Sequence, residues 1–201
     1  MTETSLAHGL AILRLRTKAV QVMLWVYIGV AAMAAVGLCA AVASGRDLAD
    51  INTTISILML LLLLACAVAV GMWIHRAHAN LFAAGLEALE YTPGWSVGWF
   101  FIPVATLFKP FSAMRELWER SHLEPNDNDQ ADYRLVAWWA CWIIGQLADN
   151  VASRIPYPTA VAGLMIVRLI FGICAAWFLL AIVNGVTRAQ NFDLEANHAF
   201  A

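Results

Sequence analysis

Long runs of apolar residues without a formal charge dominate the pattern of this chain. Residues 19–45, 51–75 and 169–187 contain no Asp, Glu, Lys or Arg. A helix needs about 20 apolar residues, each rising about 1.5 Å, to cross the hydrocarbon core of a bilayer. The pattern therefore predicts membrane-spanning helices rather than the alternating apolar and polar faces of a soluble domain.

A shorter apolar run and an extension of the last one complete the predicted spans. The charge-free run 135–148 extends past Asp149, and the last run extends back through Arg168 as far as residue 160. We expect an all-α, polytopic membrane protein with a single integral membrane domain over residues 1–201. Its four transmembrane helices are predicted over residues 19–44, 55–73, 135–153 and 160–186.

The segment 91–108 is apolar but interrupted. Pro93, Gly94, Gly98 and Pro103 stand between its aromatic residues. Proline removes a backbone hydrogen bond from a helix, and glycine weakens a helix. Broken backbone at membrane depth is tolerated only where protein buries it or where it lines a water-filled cavity. The segment therefore either spans the membrane or forms a re-entrant or interfacial segment.

The distribution of basic residues chooses between these two topologies. If the segment re-enters, nine basic residues are cytoplasmic and only Arg46 and Arg154 lie outside; if it spans, five are inside and six are outside. Cytoplasmic loops carry the excess of Lys and Arg. We therefore expect four spans and both termini in the cytoplasm. Residues 91–108, which we call the P-G-W segment, are expected to be re-entrant or interfacial. The nine cytoplasmic residues are Arg14, Arg16, Lys18, Arg76, Lys109, Arg115, Arg120, Arg134 and Arg188.

A cytoplasmic amphipathic helix is predicted over residues 109–120. Its apolar residues share one helical face, and its charged residues form i,i+4 pairs on the other. The apolar face carries Phe111, Met114, Leu117 and Trp118, and the pairs are Arg115–Glu119 and Glu116–Arg120. We expect this helix to lie along the membrane surface. The acidic stretch 124–130 that follows is interpreted as a solvated turn, because it lacks the glycine and the final glutamate of a calcium loop.

Composition excludes several classes of protein. Hydrophobic residues make up 62% of the chain and charged residues 13%, against about 45–50% and about 25% in soluble domains. The mean hydropathy is +0.70. A formal net charge of −2 offers no basic field to a nucleic acid. We therefore exclude a soluble enzyme, a disordered chain and a nucleic-acid-binding domain, and we expect the lipid bilayer to be the first partner.

His75 and His78 are the first candidate binding residues. They stand three residues apart, so they share a face of a helix. Together with Glu87 or Glu90 they would offer metal ligands, but the spacing fixes no third ligand and the H-E-x-x-H pattern is absent. With Arg76 between them, contact with lipid phosphate at the headgroup level is the alternative. We predict no metal and no cofactor.

Arg168 is a charged residue within a predicted span, and it is the strongest indication of a site inside the predicted spans. A charge at the centre of a span costs about 2.5–3.5 kcal/mol on insertion scales. Such a residue usually pairs with another polar group or lines a path for an ion or substrate. The outer turn over residues 154–159 brings the end of the preceding span to a similar depth. We therefore expect Arg168 to bond with Asp149, Asn150 or Gln146. The alternatives are a side chain that extends outward to the membrane surface and an anion or proton site.

The P-G-W segment supplies the third candidate site, with Trp95 and Trp99 four residues apart on either side of Gly98. The segment either lines a pore or substrate cavity, where non-helical backbone is tolerated, or packs as a plug between spans. Nothing in the sequence places a nucleophile beside a base. We therefore predict no catalytic residues and lean against an enzyme.

Three stretches of the chain resemble a known family. They are R-A-H-x-N-L at residues 76–81, P-G-W-x-V-G-W-F-x-x-P at 93–103 and K-P-x-x-A-M-R-E-L-W at 109–118. All three are similar to the bacterial membrane family called domain of unknown function 4328. The resemblance is close over residues 73–120 and weaker through Trp138-Trp139 and Thr187-Arg188. It implies a polytopic protein, here of the bacterial cytoplasmic (inner) membrane, and no established activity.

Two functions fit these features. The first is a non-enzymatic membrane protein that acts as a binding, scaffold or regulatory component, with a protein partner or as a homo-oligomer. The alternative is a small oligomeric transporter or channel that uses segment 91–108 and Arg168. The first is favoured because the predicted spans hold a single cluster of charged residues.

The charge distribution generates a testable topology. We expect a reporter that is active only in the cytoplasm to be active when fused to either terminus, because the positive-inside rule favours an even number of spans here. A C-terminal reporter that is active only on the outer side would contradict the four-span topology and would restore the spanning interpretation of segment 91–108.

Overall fold

The computed structural model describes residues 3–122 and 128–194, and the regular structure of these residues is helical. The helices are α1 (Glu3–Ala43), α2 (Ala49–Ala83), α3 (Trp95–Gly98), α4 (Lys109–Ser121), α5 (Asn128–Ala152) and α6 (Pro158–Ala189). Two 3₁₀ turns, Trp99–Phe101 and Ala105–Leu107, lie between α3 and α4, and a π-helical turn, Gln190–Leu194, follows α6. The all-α prediction is therefore confirmed for the described residues.

Three helical stretches are long and apolar enough to cross a membrane: Leu6–Ala43, Ala49–Ala83 and Pro158–Phe192. They correspond to the predicted spans 19–44, 55–73 and 160–186. The predicted span 135–153 lies in α5, which has 25 residues but is less apolar than the other three long helices. The four-span count therefore stays a prediction.

The long helices extend well beyond the predicted spans. Helix α1 has 41 residues, α2 has 35 and α6 has 32. At about 1.5 Å per residue, each is longer than the hydrocarbon core of about 30 Å. The apolar pattern predicted only the hydrophobic part of each helix, because polar residues that do not break a helix allow it to continue beyond the apolar run.

Helices α1 and α2 end with the same backbone motif, a glycine in the left-handed conformation. Gly45 has a φ of 63° and Gly85 a φ of 75°. At α1 the N–H groups of Gly45 and Arg46 donate to the carbonyls of Val42 and Ala41, at 3.3 and 3.1 Å. This pattern satisfies carbonyls that the helix end leaves free, and glycine adopts the required φ without a steric penalty.

The acidic stretch 124–130 differs in part from the predicted solvated turn. Residues 123–127 lie outside the described residues, whereas Asn128 begins α5. Helix α5 therefore starts before the predicted span at residue 135. Asn and Asp are favourable at a helix N-terminus, which is consistent with an early start in this polar stretch.

The chain forms two compact units. Unit 1 comprises Met1–Gln21, Val68–Leu135 and Leu180–Ala201, and unit 2 comprises Val22–Ala67 and Val136–Leu179. We call residues 76–81, 93–103 and 109–118, which are similar to the known family, the resemblance stretches. All three lie in unit 1. A single integral membrane domain over residues 1–201 stays a prediction.

Unit 2 combines small apolar clusters with an apolar exterior. One cluster is formed by Leu38, Ala41, Leu48, Ala162 and Met165, and another by Ala31, Met59 and Leu169. Large apolar side chains such as Met33, Val36 and Leu61 are exposed. A soluble protein rarely exposes apolar surface on this scale. The exterior of unit 2 is therefore suited to contact with lipid.

Helix α4 packs one face into unit 1. Pro110 stands in its first turn, where a missing N–H is tolerated. Its buried residues are Pro110, Ala113, Met114, Leu117, Trp118 and Ser121. On the exposed side Arg115 and Glu119 form an ion pair at 2.9 Å. The location of α4 along a membrane surface stays a prediction.

Gly185 of α6 lets the Trp118 side chain of α4 pack directly against the backbone of α6. A Cβ atom on Gly185 would lie 2.5 Å from two ring atoms of the buried Trp118. We expect Gly185→Ala to lower the free energy of unfolding by about 1–3 kcal/mol, because the indole ring would have to move within a packed core. Thermal unfolding in a mild detergent measures this effect.

Gly163→Ala is the matched control, since it lies in the same helix and a Cβ there would meet nothing within 4 Å. That substitution is expected to be neutral or stabilising, because alanine has the higher helix propensity. Equal unfolding midpoints for the two variants would show that Trp118 does not pack tightly on Gly185.

Candidate binding site

A buried cluster of hydrogen-bonded polar side chains, which we call the first polar node, joins three helices of unit 1. The hydroxyl groups of Thr17 in α1 and Thr187 in α6 lie 2.7 Å apart. The indole N–H of Trp73 in α2 donates to both hydroxyl oxygens, at 3.0 and 3.3 Å. All three side chains are buried. Their polar atoms therefore bond one another in place of water.

Two further pairs repeat this contact along the same two elements. Gln21 donates to Asn184 at 2.7 Å, and Arg14 donates to Asn191, just after α6, at 2.9 Å. Residues three and four apart share a face of a helix. As the residue number along α1 rises from 14 to 21, the residue number of the bonded partner falls from 191 to 184. These pairs and the threonine pair therefore define one antiparallel register.

A second polar node is centred on Gln190. Its side-chain amide donates to the carbonyl of Ala77 at 3.1 Å and to the hydroxyl of Ser121 at 3.0 Å, and its oxygen accepts from Asn80 at 3.1 Å. Gln190, Asn80 and Ser121 are fully buried. The node therefore connects α2, α4 and the π-helical turn through an amide whose donors and acceptor are all used.

Glu116 of α4 fixes the loop that leads into the P-G-W segment. Its carboxylate accepts hydrogen bonds from the backbone N–H groups of Glu90 and Tyr91, at 2.6 and 3.1 Å. Arg120 of the same helix donates to the carbonyl of Ala88 at 3.3 Å. Hydrogen bonds to charged groups are roughly twice as strong as neutral ones. These bonds therefore hold the loop on α4.

The P-G-W segment folds as α3 and two 3₁₀ turns rather than as one helix. Buried Ser96 donates its hydroxyl to the carbonyl of Pro93 at 2.9 Å. Val104 turns the chain between the two 3₁₀ turns with a φ of 68°, a conformation that β-branched residues rarely adopt. Segment 91–108 therefore contains no helix long enough to cross a membrane, and its re-entrant or interfacial position stays a prediction.

Apolar side chains on this segment are exposed. Phe101 is 80% exposed, although an aromatic side chain normally contributes most of its surface to a core. The exposed apolar residues of the segment are Trp95, Phe101, Val104, Leu107 and Phe108. Exposed apolar side chains concentrated in one short segment make it a candidate interaction surface.

An open pocket of about 170 Å³ lies beside these exposed residues. It is lined by Glu90, Tyr91, Thr92, Trp95, Trp99 and Lys109. The rings of Trp95 and Trp99 are 5.1 Å apart. The Lys109 ammonium pairs with Glu90 at 3.1 Å and lies 5.4 and 5.7 Å from the ring centroids of Tyr91 and Trp99. We call this site the P-G-W pocket; it offers a cation, a carboxylate and aromatic faces to a ligand.

The partners of Lys109 keep it positively charged. Hydrogen bonds to Glu90 and to the Tyr91 hydroxyl raise the pKa of the Lys109 ammonium. An ammonium group has three N–H donors, and these two bonds use two of them. The third donor is available to an anionic or polar group of a ligand.

The structure brings Arg168 and Asp149 together in unit 2. Their Nε and Oδ1 atoms are 3.3 Å apart, with the Arg168 side chain 14% exposed and the Asp149 side chain 51% exposed. No hydrogen bond joins Arg168 to Gln146 or Asn150, which are both among the described residues. Of the three predicted partners the structure therefore supplies one. A role of these residues in binding stays a prediction.

His75 and His78 lie in different surroundings. His75 is exposed, whereas His78 is fully buried with its Nδ1 atom 3.2 Å from the carbonyl of Ile74. The two histidines therefore do not form one site. Among the side chains that the structure describes, those of residues 6–122 and 133–192, no three His, Cys, Asp or Glu residues come together as a metal-binding group.

The sequence pattern indicated Trp95 and Trp99 but not that Glu90 and Lys109 would lie beside them, and it did not indicate the polar nodes. The available signal was a stripe of polar residues inside apolar helices, at 14, 17 and 21 in α1 and at 184 and 187 in α6. This spacing indicates one polar face on each helix. It does not indicate which residues of the two faces meet.

The long apolar helices and the exposed apolar exterior of unit 2 define a helical membrane protein. The chain belongs to the family described as domain of unknown function (DUF4328), whose model matches residues 38–188. This match confirms the resemblance. Comparisons with curated proteins and with solved structures find no match. The matched range includes the whole P-G-W pocket and Thr187, whereas Thr17 and Gln190 lie outside it.

The Arg168–Asp149 pair generates a prediction about stability. We expect Arg168→Ala to lower the free energy of unfolding by about 1 kcal/mol, because it removes the counter-charge of Asp149, whose half-exposed carboxylate stays partly solvated. Replacing both residues by Leu is expected to recover much of this loss, because apolar side chains need no partner. Chemical unfolding in detergent measures both variants.

Arg154→Ala is the control for loss of a positive charge, since Arg154 is an exposed residue of the same unit. It is expected to change stability by less than about 0.5 kcal/mol. An Arg168→Ala variant as stable as this control would contradict a stabilising pair.

Proposed function

We propose that this protein is a non-enzymatic, multi-pass protein of the bacterial cytoplasmic membrane that binds an amphipathic ligand in the P-G-W pocket. The observation that carries the proposal is the pocket itself, which combines an ammonium, a carboxylate and aromatic rings beside exposed apolar side chains. Binding sites typically pair an apolar lining with a few placed polar groups.

The proposed topology has four spans with both termini in the cytoplasm. Helix α5 is long enough for the additional span, because about 20 residues suffice. Its three tryptophans, Trp138, Trp139 and Trp142, are large side chains with much apolar surface, which hydropathy scales weigh lightly. The charge of Asp149 in this helix is balanced by Arg168. These features support α5 as a span.

The P-G-W pocket is proposed to lie at the cytoplasmic interface of the membrane. Tryptophan and other amphipathic side chains favour that level, and a lysine there can keep its ammonium in water while its stem contacts apolar groups. The exposed Phe101 and Phe108 would enter the lipid, and Lys109 would stay among the headgroups. An amphipathic molecule has its polar group at the same level.

The chemistry of the pocket favours a small polar headgroup attached to an apolar body. An anionic group would bond the free donor of Lys109, and a cationic group would find Glu90 and the faces of the aromatic rings. An apolar body would lie against the rings of Trp95 and Trp99, which line the pocket. A volume of about 170 Å³ is smaller than a typical pocket of about 300–1,000 Å³ for a drug-sized ligand, so it fits a headgroup rather than a whole lipid.

The charged residues around the pocket and in α6 favour binding over catalysis or transport. Glu116 and Glu90 already hold the loop and Lys109. Arg168 and Asp149 balance each other's charge, so we do not propose the transporter. We propose that the protein acts with a protein partner or a second copy of the chain, to which ligand binding is communicated.

The proposal predicts a ligand that is retained through the pocket. We expect the protein purified from bacterial membranes in lipid nanodiscs to carry one small amphipathic molecule per chain, detected by native mass spectrometry. Trp95→Ala and Lys109→Gln are expected to reduce its occupancy at least about tenfold, because each removes a side chain that contacts the ligand directly.

Phe101→Ala is the matched control, because it removes an exposed aromatic ring from the same segment without changing the pocket lining. It is expected to retain the molecule. A wild-type protein that retains nothing, or equal retention by all variants, would contradict a binding function of this pocket.

A further inference from the structure

The P-G-W pocket carries one charge of each sign. Of the described residues that line it, Lys109 is a cation, Glu90 is an anion and the others are uncharged. The Lys109 Nζ and Glu90 Oε1 atoms are 3.1 Å apart, and the two side chains are 40% and 65% exposed. A ligand in the pocket therefore meets an accessible ammonium and an accessible carboxylate at the same place.

Both charged groups keep hydrogen-bonding capacity for a ligand. The Lys109 ammonium has three N–H donors, and its bonds to Glu90 and to the Tyr91 hydroxyl use two of them. The Glu90 carboxylate has two oxygens with about four acceptor positions, and the bond from Lys109 uses one. An exposed ion pair contributes little to stability, so it does not compete strongly with a ligand that bonds both partners.

The balance of charge favours a ligand that carries both signs. An anion would bond Lys109 but would be repelled by Glu90, and for a cation the reverse holds. A zwitterion bonds both, because its anionic group accepts from the Lys109 ammonium and its cationic group donates to the Glu90 carboxylate. In phosphoethanolamine a short carbon chain joins a phosphate to a primary ammonium. Its two charges therefore lie close together, as those of Lys109 and Glu90 do.

The aromatic rings of the pocket favour a primary over a quaternary ammonium in the ligand. Quaternary ammonium groups are held mainly by the faces of aromatic rings. Here the Lys109 ammonium already lies 5.4 and 5.7 Å from the ring centroids of Tyr91 and Trp99. The ring of Trp95 packs against Trp99 at 5.1 Å. The Glu90 carboxylate is thus the stronger partner, and it requires an N–H donor, which a quaternary ammonium lacks.

Helix α4 fixes both charges before a ligand arrives. Lys109 is the first residue of this helix. Glu90 belongs to the preceding loop, and its backbone N–H donates to the carboxylate of Glu116 in α4 at 2.6 Å. Groups that are held in place lose less entropy on binding. The separation of the two charges is therefore set by the protein rather than by the ligand.

Exposed apolar side chains next to the charges favour a lipid as the source of the zwitterion. Leu107 and Phe108 directly precede Lys109, and both are exposed. Apolar side chains in this position suit the hydrocarbon of a lipid and offer little to a free, fully polar zwitterion. On the basis of the proposed function of the pocket, we infer that its ligand is a phospholipid with a phosphoethanolamine headgroup. The phosphate bonds Lys109, and the ammonium bonds Glu90.

The test compares headgroups on the purified, delipidated full chain in a neutral detergent. Phosphatidylethanolamine, phosphatidylcholine and phosphatidylglycerol with the same acyl chains are titrated, as is free phosphoethanolamine. Thermal unfolding midpoints and adducts in native mass spectra are recorded. We expect phosphatidylethanolamine to form a one-to-one adduct and to bind at least about tenfold more tightly than the other two lipids. Phosphatidylcholine lacks the N–H donor for Glu90, and phosphatidylglycerol lacks the cation.

Glu90→Gln should act in opposite directions on two of the lipids. It should weaken phosphatidylethanolamine binding about tenfold, because it removes a charge-assisted hydrogen bond. It should strengthen phosphatidylglycerol binding, because Lys109 loses its counter-charge. A folding defect would weaken both, so the two effects are separable.

Glu119→Gln is the matched control, because it also removes a half-exposed carboxylate from an ion pair on α4 and does not line the pocket. It should change either affinity less than about twofold. The comparison of the lipids on the wild type requires no variant, so it tests the inference even if Glu90→Gln does not fold.

Four results would overturn the inference. Equal affinity for phosphatidylethanolamine and phosphatidylcholine would exclude a bond from the ligand's ammonium to Glu90. Equal or tighter binding of phosphatidylglycerol would assign the pocket to an anion alone. Equal weakening by Glu119→Gln would reduce the effect to general surface charge. Equal stabilisation by free phosphoethanolamine at the same concentration would assign the pocket to a soluble zwitterion instead of a lipid.

Failure of this inference is distinguishable from failure of the proposed function. If Trp95→Ala and Lys109→Gln release another amphipathic molecule while phosphatidylethanolamine is not preferred, the binding function stands and only the assigned headgroup is wrong. If neither variant changes the retention of any molecule, the pocket is not a binding site and both proposals fail.

Discussion

The hydrogen bonds among Thr17, Trp73 and Thr187 are the constraint on which the rest of unit 1 depends. An unpaired hydroxyl or indole N–H among apolar side chains loses the hydrogen bonds it makes with water. The three groups must therefore face one another at one depth, and this fixes how far α1, α2 and α6 are shifted along each other. Packing of apolar side chains alone would tolerate several such shifts, because apolar contacts have little directionality.

The same register places the residues of the second node and of the P-G-W pocket. With α2 and the end of α6 in position, Asn80 meets Gln190, and Gln190 meets Ser121 of α4. Helix α4 then holds the preceding loop through Glu116. The pocket is thus connected to the buried core of unit 1 by hydrogen bonds rather than by a flexible tether. Such support gives a binding site a defined shape.

The two units meet different demands of a membrane protein. Unit 2 exposes large apolar side chains such as Val36 and Leu61, which suit a lipid environment, and contains the Arg168–Asp149 pair. Unit 1 contains the buried polar nodes, the P-G-W pocket and the three resemblance stretches. The three resemblance stretches are separated along the chain, but in unit 1 they together position the loop and the P-G-W pocket.

The sequence by itself determined the helical membrane class, the family, three of the apolar helices and the need of Arg168 for a partner. These follow from local properties, since length and hydropathy are read along a single helix. Tertiary structure alone decided the pairs Thr17–Thr187 and Asn80–Gln190 and the ion pair of Glu90 with Lys109. Each of these depends on the register or the turn that joins two segments. A polar residue in an apolar helix shows that a partner is needed, but only packing of the whole chain decides which partner it meets.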